Sequence, residues 1–197
     1  MEISAVILAG GLARRMGGVD KGLQLYQGVP LFWHCYQRLK NQVAEVAVNA
    51  NRNQAIYRQS GLPVFADDLA DFQGPLSGML AGLTRAKSDL VLFVPCDCPF
   101  LPLDLVEKLQ QPFLDNETQN KSAVKKSSIF LTYATDGERE HPTFCLVSPL
   151  LTENLRTYLQ KDERRMLQFM RENHAIAVDF STQKNAFQNF NHLEDLK

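Results

Sequence analysis

The chain has no apolar run near the ~20 residues that a membrane-spanning helix needs, and it has no surplus of positive charge. Its 21 lysines and arginines stand against 22 aspartates and glutamates. The basic stripe that nucleic-acid binding requires is therefore missing. Cysteine is scarce too: of Cys35, Cys96, Cys98 and Cys145, only Cys96 and Cys98 lie close together. A C-x-C pair without a second pair is a poor zinc signature, and reduced thiols acting as small hydrophobes are the simpler reading. No basic stretch precedes the apolar run of "MEISAVILAGG", which turns glycine-rich after six or so apolar residues. It does not read as a signal peptide. These absences remove nucleic acid and membrane from the expected partners and point to a cytoplasmic protein.

What is present is an ordinary globular composition, 45% hydrophobic and 22% charged over 197 residues. One domain spanning 1–197 is expected at this length, with roughly 70% of the unfolded surface buried. The first hundred residues alternate two periodicities. "ISAVIL" (Ile3 to Leu8), "VAEVAVNA" (Val43 to Ala50), "LPVFA" (Leu62 to Ala66) and "DLVLFVPCD" (Asp89 to Asp97) read as strands. Between them, "PLFWHCYQRLKNQ" opens with Pro30 as a first helical residue, and "PLSGMLAGLTRA" places Leu76, Met79, Leu80 and Leu83 on one helical face. A helix is also expected over "PLDLVEKLQQ". The alternation predicts an α/β fold of Rossmann-like type, a mostly parallel central sheet with helices on both faces.

After Pro112 the polar, aperiodic "LDNETQNKSAVKKSS" reads as a surface loop. Two strands joined at Asp136-Gly137 come next, then helices over "LLTENLRTYLQ" and "RRMLQFMREN", and a late strand in "AIAVDF". The second half is expected to extend the same sheet. No internal repeat is visible.

In open parallel sheets ligands bind beyond the carboxyl ends of the strands. Candidate polar residues converge there: Gly10 and Gly11 after the first strand, Asn49 after the second, Asp67 and Asp68 after the third, Asp97 after the fourth. The stretch "LAGGLARRMGGVDKG" (Leu8 to Gly22) fits neither the Walker A spacing nor G-x-G-x-x-G. Its glycines still allow backbone N–H groups to approach an anion, and Arg15 and Lys21 add positive charge. Asp97 is placed to hold Mg²⁺, which takes one or two carboxylates and completes its shell with water and phosphate oxygens. Asp67 and Asn49 are candidate base readers, since a carboxylate accepts both N1–H and N2–H₂ of guanine, a pair that adenine lacks. Gly74, Gly78 and Gly82 recur every four residues, which suggests close approach of either a ligand or a strand to that helix face. Arg139, His141, Arg164 and Arg165 are candidates for a cationic wall, with surface ion pairs as the alternative. Asn189 and Asn191 in "FQNFN" suit either a polar ligand or a terminal edge strand.

Taken together, "LAGGLARRMGGVDKG", "VNAN", "ADDLADFQGPLSGM", "PCDCPF", "DGEREHPT", "ERR" and "NFN" resemble the molybdenum cofactor guanylyltransferases, the MobA-type proteins, from Val6 to about Asn191. "LAGG", where related cytidylyltransferases show L/T-A-A-G, favours the guanine branch. The resemblance implies a nucleotidyltransferase that joins GMP from GTP to molybdenum-molybdopterin and releases pyrophosphate. It implies GTP contacts at Leu8, Ala9, Gly10, Gly11, Gly18, Lys21, Asn49, Asp67, Gly74, Gly78 and Asp97, with Mg²⁺ on Asp97. Lys21, Asp97 and Arg15 would carry the chemistry. Residues 1–111 would form a GTP-binding half and 128–197 a cofactor-binding half, the pterin contacting Arg139, His141, Arg164, Arg165, Asn189 and Asn191. Cofactor-delivery and molybdoenzyme-maturation proteins are the implied partners. Two departures from the pattern are the long polar stretch Asn116–Ser128 and Cys98, where Thr is common. The rival readings are a nucleotidyltransferase using CTP or a sugar phosphate, and a non-catalytic carrier of GTP or pterin.

Overall fold

Unbroken apolar runs rich in β-branched residues form strands that are covered on both faces. The computed structural model describes residues 1–11, 18–69, 74–120, 129–190 and 193–196. In it β1 (Ile3–Leu8) lies between β4 (Glu45–Asn49) and β6 (Leu90–Pro95), parallel to both. Strand β5 (Val64–Phe65) extends the parallel set beyond β4. On the other side β8 (Glu140–Val147) runs antiparallel to β6 and to β7 (Leu131–Thr135), and β9 (Ile176–Asp179) is parallel to β7. One seven-stranded sheet results, in the order β5-β4-β1-β6-β8-β7-β9. The second half of the chain thus continues the sheet that the first half begins.

Alternation along β1 sends Ile3, Ala5 and Ile7 to one face and Val6 to the other. The first face is covered by Phe32, Cys35 and Leu39 of α1 (Leu31–Leu39) and by Leu105, Leu109 and Phe113 of α4 (Leu105–Asn120). The second is covered by Leu76, Met79, Leu80 and Leu83 of α3 (Pro75–Arg85) with α5 (Thr152–Gln160) and α6 (Met166–Glu172). The predicted stripe on α3 is therefore core. No helix among the described residues is long and apolar enough to cross a membrane.

Several local features differ from the sequence expectation. Pro30 caps α1 with an extended ψ of 140° rather than opening it. It also ends a small hairpin, β2 (Leu25–Tyr26) and β3 (Val29–Pro30), which is too short to give a sequence period. A short helix, α2 (Gln54–Arg58), comes after β4, where the sequence pattern predicts none. Helix α4 continues through Pro112 to Asn120, over the first part of the expected loop, whose remainder, 121–128, lies outside the described residues. Proline there removes one i→i−4 bond, but Phe113 is buried in the first core, and Gln111 donates to Asp115 and Thr118 to Leu114 in the next turns. Finally, residues 188–190 form no strand.

The close approach at Gly82 is to the sheet. A Cβ there would lie 2.8 Å from Phe93 Cε1 and 3.2 Å from Val6 Cγ2, both on buried strands. Alanine in a free helix would gain about 1 kcal/mol over glycine, whereas overpacking costs about 1–3 kcal/mol. Gly82→Ala is expected to lower stability in urea titration despite its better helix propensity; a more stable variant would show that the helix–sheet contact has slack.

Candidate active site

The parallel register aligns Leu8 with Asn49 on one side and with Pro95 on the other. The turns after β1, β4 and β6 therefore emerge at the same edge of the sheet. A cavity of about 460 Å³ opens there. Leu8, Ala9, Gly10, Gly11, Lys21, Asn49, Asp67, Gly74 and Asp97 line it, joined by Pro75, Pro95, Cys96, Thr143 and Asn189. Gly78 stands one turn further into α3, where the space a Cβ would need is taken by Asn49 Oδ1.

Three asparagines and an arginine at the end of β4 and just after it organise the wall. Asn49 Nδ2 donates to Asp67 Oδ1 at 2.8 Å. Asn51 Nδ2 donates to Asp67 Oδ2 at 2.9 Å, and its Oδ1 accepts the Asp67 backbone N–H at 2.8 Å. Arg52 donates to the carbonyls of Gly18 at 2.8 Å and Gly11 at 3.1 Å, tying together two points of the glycine-rich stretch. Asn53 Nδ2 donates to Asp20 Oδ2 at 3.1 Å, and the buried Tyr57 hydroxyl donates to Asp20 Oδ1 at 2.5 Å. Burial and the neighbouring Cys96 push the Tyr57 phenol well above its ordinary range, so it stays a donor. Asn51, Arg52, Asn53 and Asp20 are not among the residues the sequence pattern singles out. Asp20 and Asn51 fall inside the stretches "LAGGLARRMGGVDKG" and "VNAN", and Arg52 and Asn53 have only the polar run "NANRN" as a signal; the hydrogen-bond partners of all four are distant in sequence.

Across the cavity Lys21 Nζ donates to Asp97 Oδ2 at 2.9 Å. The Asp97 side chain is only 8% exposed and lies in the turn after β6. That turn is fixed from behind: the Phe190 N–H donates to the Asp97 carbonyl at 2.9 Å, and the Cys98 thiol to Asn189 Oδ1 at 3.1 Å. The four cysteines are free and buried, and desolvation raises every thiol, Cys35 to about 12. They behave as small hydrophobes. Among the described residues no three His, Cys, Asp or Glu side chains form a metal cluster.

Of the described residues expected on the pterin side, Asn189 alone reaches the cavity wall. His141 shares a 2.8 Å hydrogen bond with Asp136 and stacks on Phe187 at 4.6 Å, two residues from the wall residue Thr143. Arg139 is exposed in the β7–β8 turn. The Arg164 guanidinium donates to the carbonyls of Leu159 and Glu163 and to Asp162. Arg165, also exposed, lies on a separate open groove with Pro142, Met166 and Arg171. Arg15 and Asn191 lie outside the described residues.

A cavity at the point where an open α/β sheet reverses its winding, walled by a glycine-rich turn and strand-end carboxylates, is that of a nucleotide-binding protein. The model of the MobA-like NTP transferase domain matches residues 5–176, and the chain belongs to that family. It is 62% identical over 197 residues to the molybdenum cofactor guanylyltransferase of Pasteurella multocida, covering all of this chain and 98% of that protein. Identity to the enzyme of the same name from Histophilus somni is 61% over 195 residues, covering 99% and 94%. The crystal structure of molybdopterin-guanine dinucleotide biosynthesis protein A from Archaeoglobus fulgidus shares the fold. Its TM-score is 0.71 at 15% identity, covering 98% of this chain and 94% of that one.

The β7–β8 turn carries a pH dependence of its own. The hydrogen bond from His141, with backbone N–H groups of Arg139 and Glu138, lowers the Asp136 carboxyl to about 2, against about 3.9 in an unfolded chain. A depressed carboxyl stabilises the fold above its unfolded value and loses that contribution as pH falls through the folded one. The stability difference between wild type and Asp136→Asn is therefore expected to hold above pH ~5, to shrink as pH falls through ~2 and to vanish near pH ~1 in acid titrations. A difference that persists undiminished at the acid end contradicts this origin.

Proposed function

We propose that this chain is a molybdenum cofactor guanylyltransferase: it transfers GMP from GTP to molybdenum-molybdopterin, forming the guanine dinucleotide cofactor and releasing pyrophosphate. The observation that carries the reading is full-length identity of 54–62% to enzymes of that name. The cavity supplies the matching chemistry. Asp67, held by Asn49 and Asn51, faces the guanine edge; Gly10, Gly11 and the start of α3 at Gly74 flank the nucleotide; Lys21 and Asp97 stand at the triphosphate.

The terminal phosphate of molybdopterin attacks the α-phosphorus of GTP in line. A new P–O bond forms, the bond to the β-phosphate oxygen breaks, and pyrophosphate leaves with the electron pair. The nucleophile is already anionic near neutral pH, so the chain needs no strong general base. Its work is positioning and neutralisation of charge. Lys21 brings a cation to the phosphates, with Arg15 as a second, and the backbone amides of the first turn add donors.

Asp97 fits a magnesium site of the kind that relies on one protein carboxylate and on substrate oxygens. Its Oδ2 is paired with Lys21, while its Oδ1 has the Cys98 thiol near it at 3.8 Å, a weak donor that leaves acceptor capacity on that oxygen. When bound, Mg²⁺ supplies further neutralisation of the triphosphate. Asn189 and Thr143 on the cavity wall receive the pterin, with His141 two residues from Thr143. Cofactor-delivery and molybdoenzyme-maturation proteins stand on either side of the reaction.

Incubation with GTP, Mg²⁺ and molybdenum-loaded molybdopterin is expected to yield the guanine dinucleotide and one pyrophosphate per turnover, and chelation of the metal should stop it. Nucleotide binding without pyrophosphate release would mark a carrier, and preference for CTP would overturn the base assignment. Lys21→Met and Asp97→Asn are each expected to lower turnover by roughly 10²-fold or more while melting as folded proteins; near-normal turnover in either removes that residue from the chemistry.

A further inference from the structure

Asp67 stands in the cavity wall with both carboxylate oxygens already accepting an amide N–H. Oδ1 takes one from Asn49 and Oδ2 one from Asn51. The two asparagines are not equivalent. Asn49 supplies a single bond, about which the carboxylate can pivot. Asn51 holds Asp67 at two points, because its Nδ2 donates to the carboxylate while its Oδ1 accepts the Asp67 backbone N–H. Its Nδ2 also reaches the Gly10 carbonyl at 3.4 Å, so the same side chain references Asp67 to the first turn of the sheet. Only a carboxamide offers donor and acceptor in this arrangement.

A carboxylate has about four acceptor sites. With one on each oxygen committed to an asparagine, one on each oxygen remains. Two parallel acceptors in a fixed plane match two adjacent donors, which is what the N1–H and N2–H₂ of guanine present. If the plane turned, the paired contact to both donors would be broken, and guanine would lose the advantage its amino group gives over bases without one.

We propose that Asn51 is the positioning residue that sets base selectivity, by fixing the plane of the Asp67 carboxylate against the guanine edge. The inference rests on the reading of Asp67 as the guanine-facing group. Asn51 itself does not touch the nucleotide. Its loss therefore acts on discrimination, whereas a merely structural role would weaken all nucleotides alike.

The test compares direct binding of GTP and ITP, which differ only in the N2 amino group, by calorimetry on the intact chain with Mg²⁺ present. Wild type is expected to prefer GTP by roughly 10–100-fold, the range of one hydrogen bond to a charged acceptor. In Asn51→Ala the preference is expected to fall below about 3-fold, chiefly through weaker GTP binding, with ITP binding little changed. Asn51→Ser replaces the amide by one shorter hydroxyl, which does not hold Asp67 at both points, and the same fall is expected there; it serves if the alanine variant does not fold. Either folded variant retaining the wild-type ratio, or losing GTP and ITP affinity equally, overturns the proposal. A wild type with no GTP preference over ITP overturns the reading of Asp67 beneath it, and the two failures are thereby told apart.

Discussion

Leu8 is paired with Asn49 on one side and Pro95 on the other, and this register decides where every polar group of the cavity stands. A shift of one residue between β1 and either neighbour would turn a core face outward. It would also move Asn49 or Asp97 off the edge that Gly10 occupies. The two hydrophobic layers hold the register, because Ile3, Ala5 and Ile7 can pack only against the α1 and α4 side, and Val6 only against α3. The site is thus a by-product of core packing carried a few residues past the end of each strand.

Beyond the register, the cavity is organised by neutral amides and one guanidinium rather than by a mass of charge. The end of β4 and its turn reach Gly10, Gly11, Gly18, Asp20 and Asp67 through Asn51, Arg52, Asn53 and Asn49. The charged groups are few and paired, Lys21 with Asp97 at 2.9 Å. An arrangement of this kind leaves little reorganisation for the moment when a highly charged substrate arrives, which is how preorganised sites lower barriers.

The inner strands and main helices are legible in the sequence because their periods are strong: Ile3–Leu8 and the start of α3 at Pro75 stand where the pattern puts them. The cavity residues are legible because strand ends converge in any parallel sheet, and Asn49, Asp67 and Asp97 each lie at or just past one. The glycine spacing on α3 leaves ligand and strand open; at Gly82 the neighbour is the sheet, and at Gly78 it is Asn49. Features that depend on contacts between distant residues are hidden. Asn51 looks like any loop asparagine until Asp67 is folded against it, and Arg52 becomes informative only once Gly11 and Gly18 lie together. The hairpin at Leu25–Pro30 is two residues a strand, below any periodic signal, and Pro112 misleads because Phe113 anchors the turn that proline weakens. The cationic wall does not gather at the cavity because Arg164 is engaged by carbonyls of its own turn.

A crystal structure with a non-hydrolysable GTP analogue and Mg²⁺ tests the placement of the nucleotide most directly. The guanine edge is expected on Asp67, the triphosphate along Gly10, Gly11 and Lys21, and the metal on Asp97, with the α-phosphorus open toward Asn189. A nucleotide bound outside this cavity, or one lying with its base at Asp97 and its phosphates at Asp67, would contradict it.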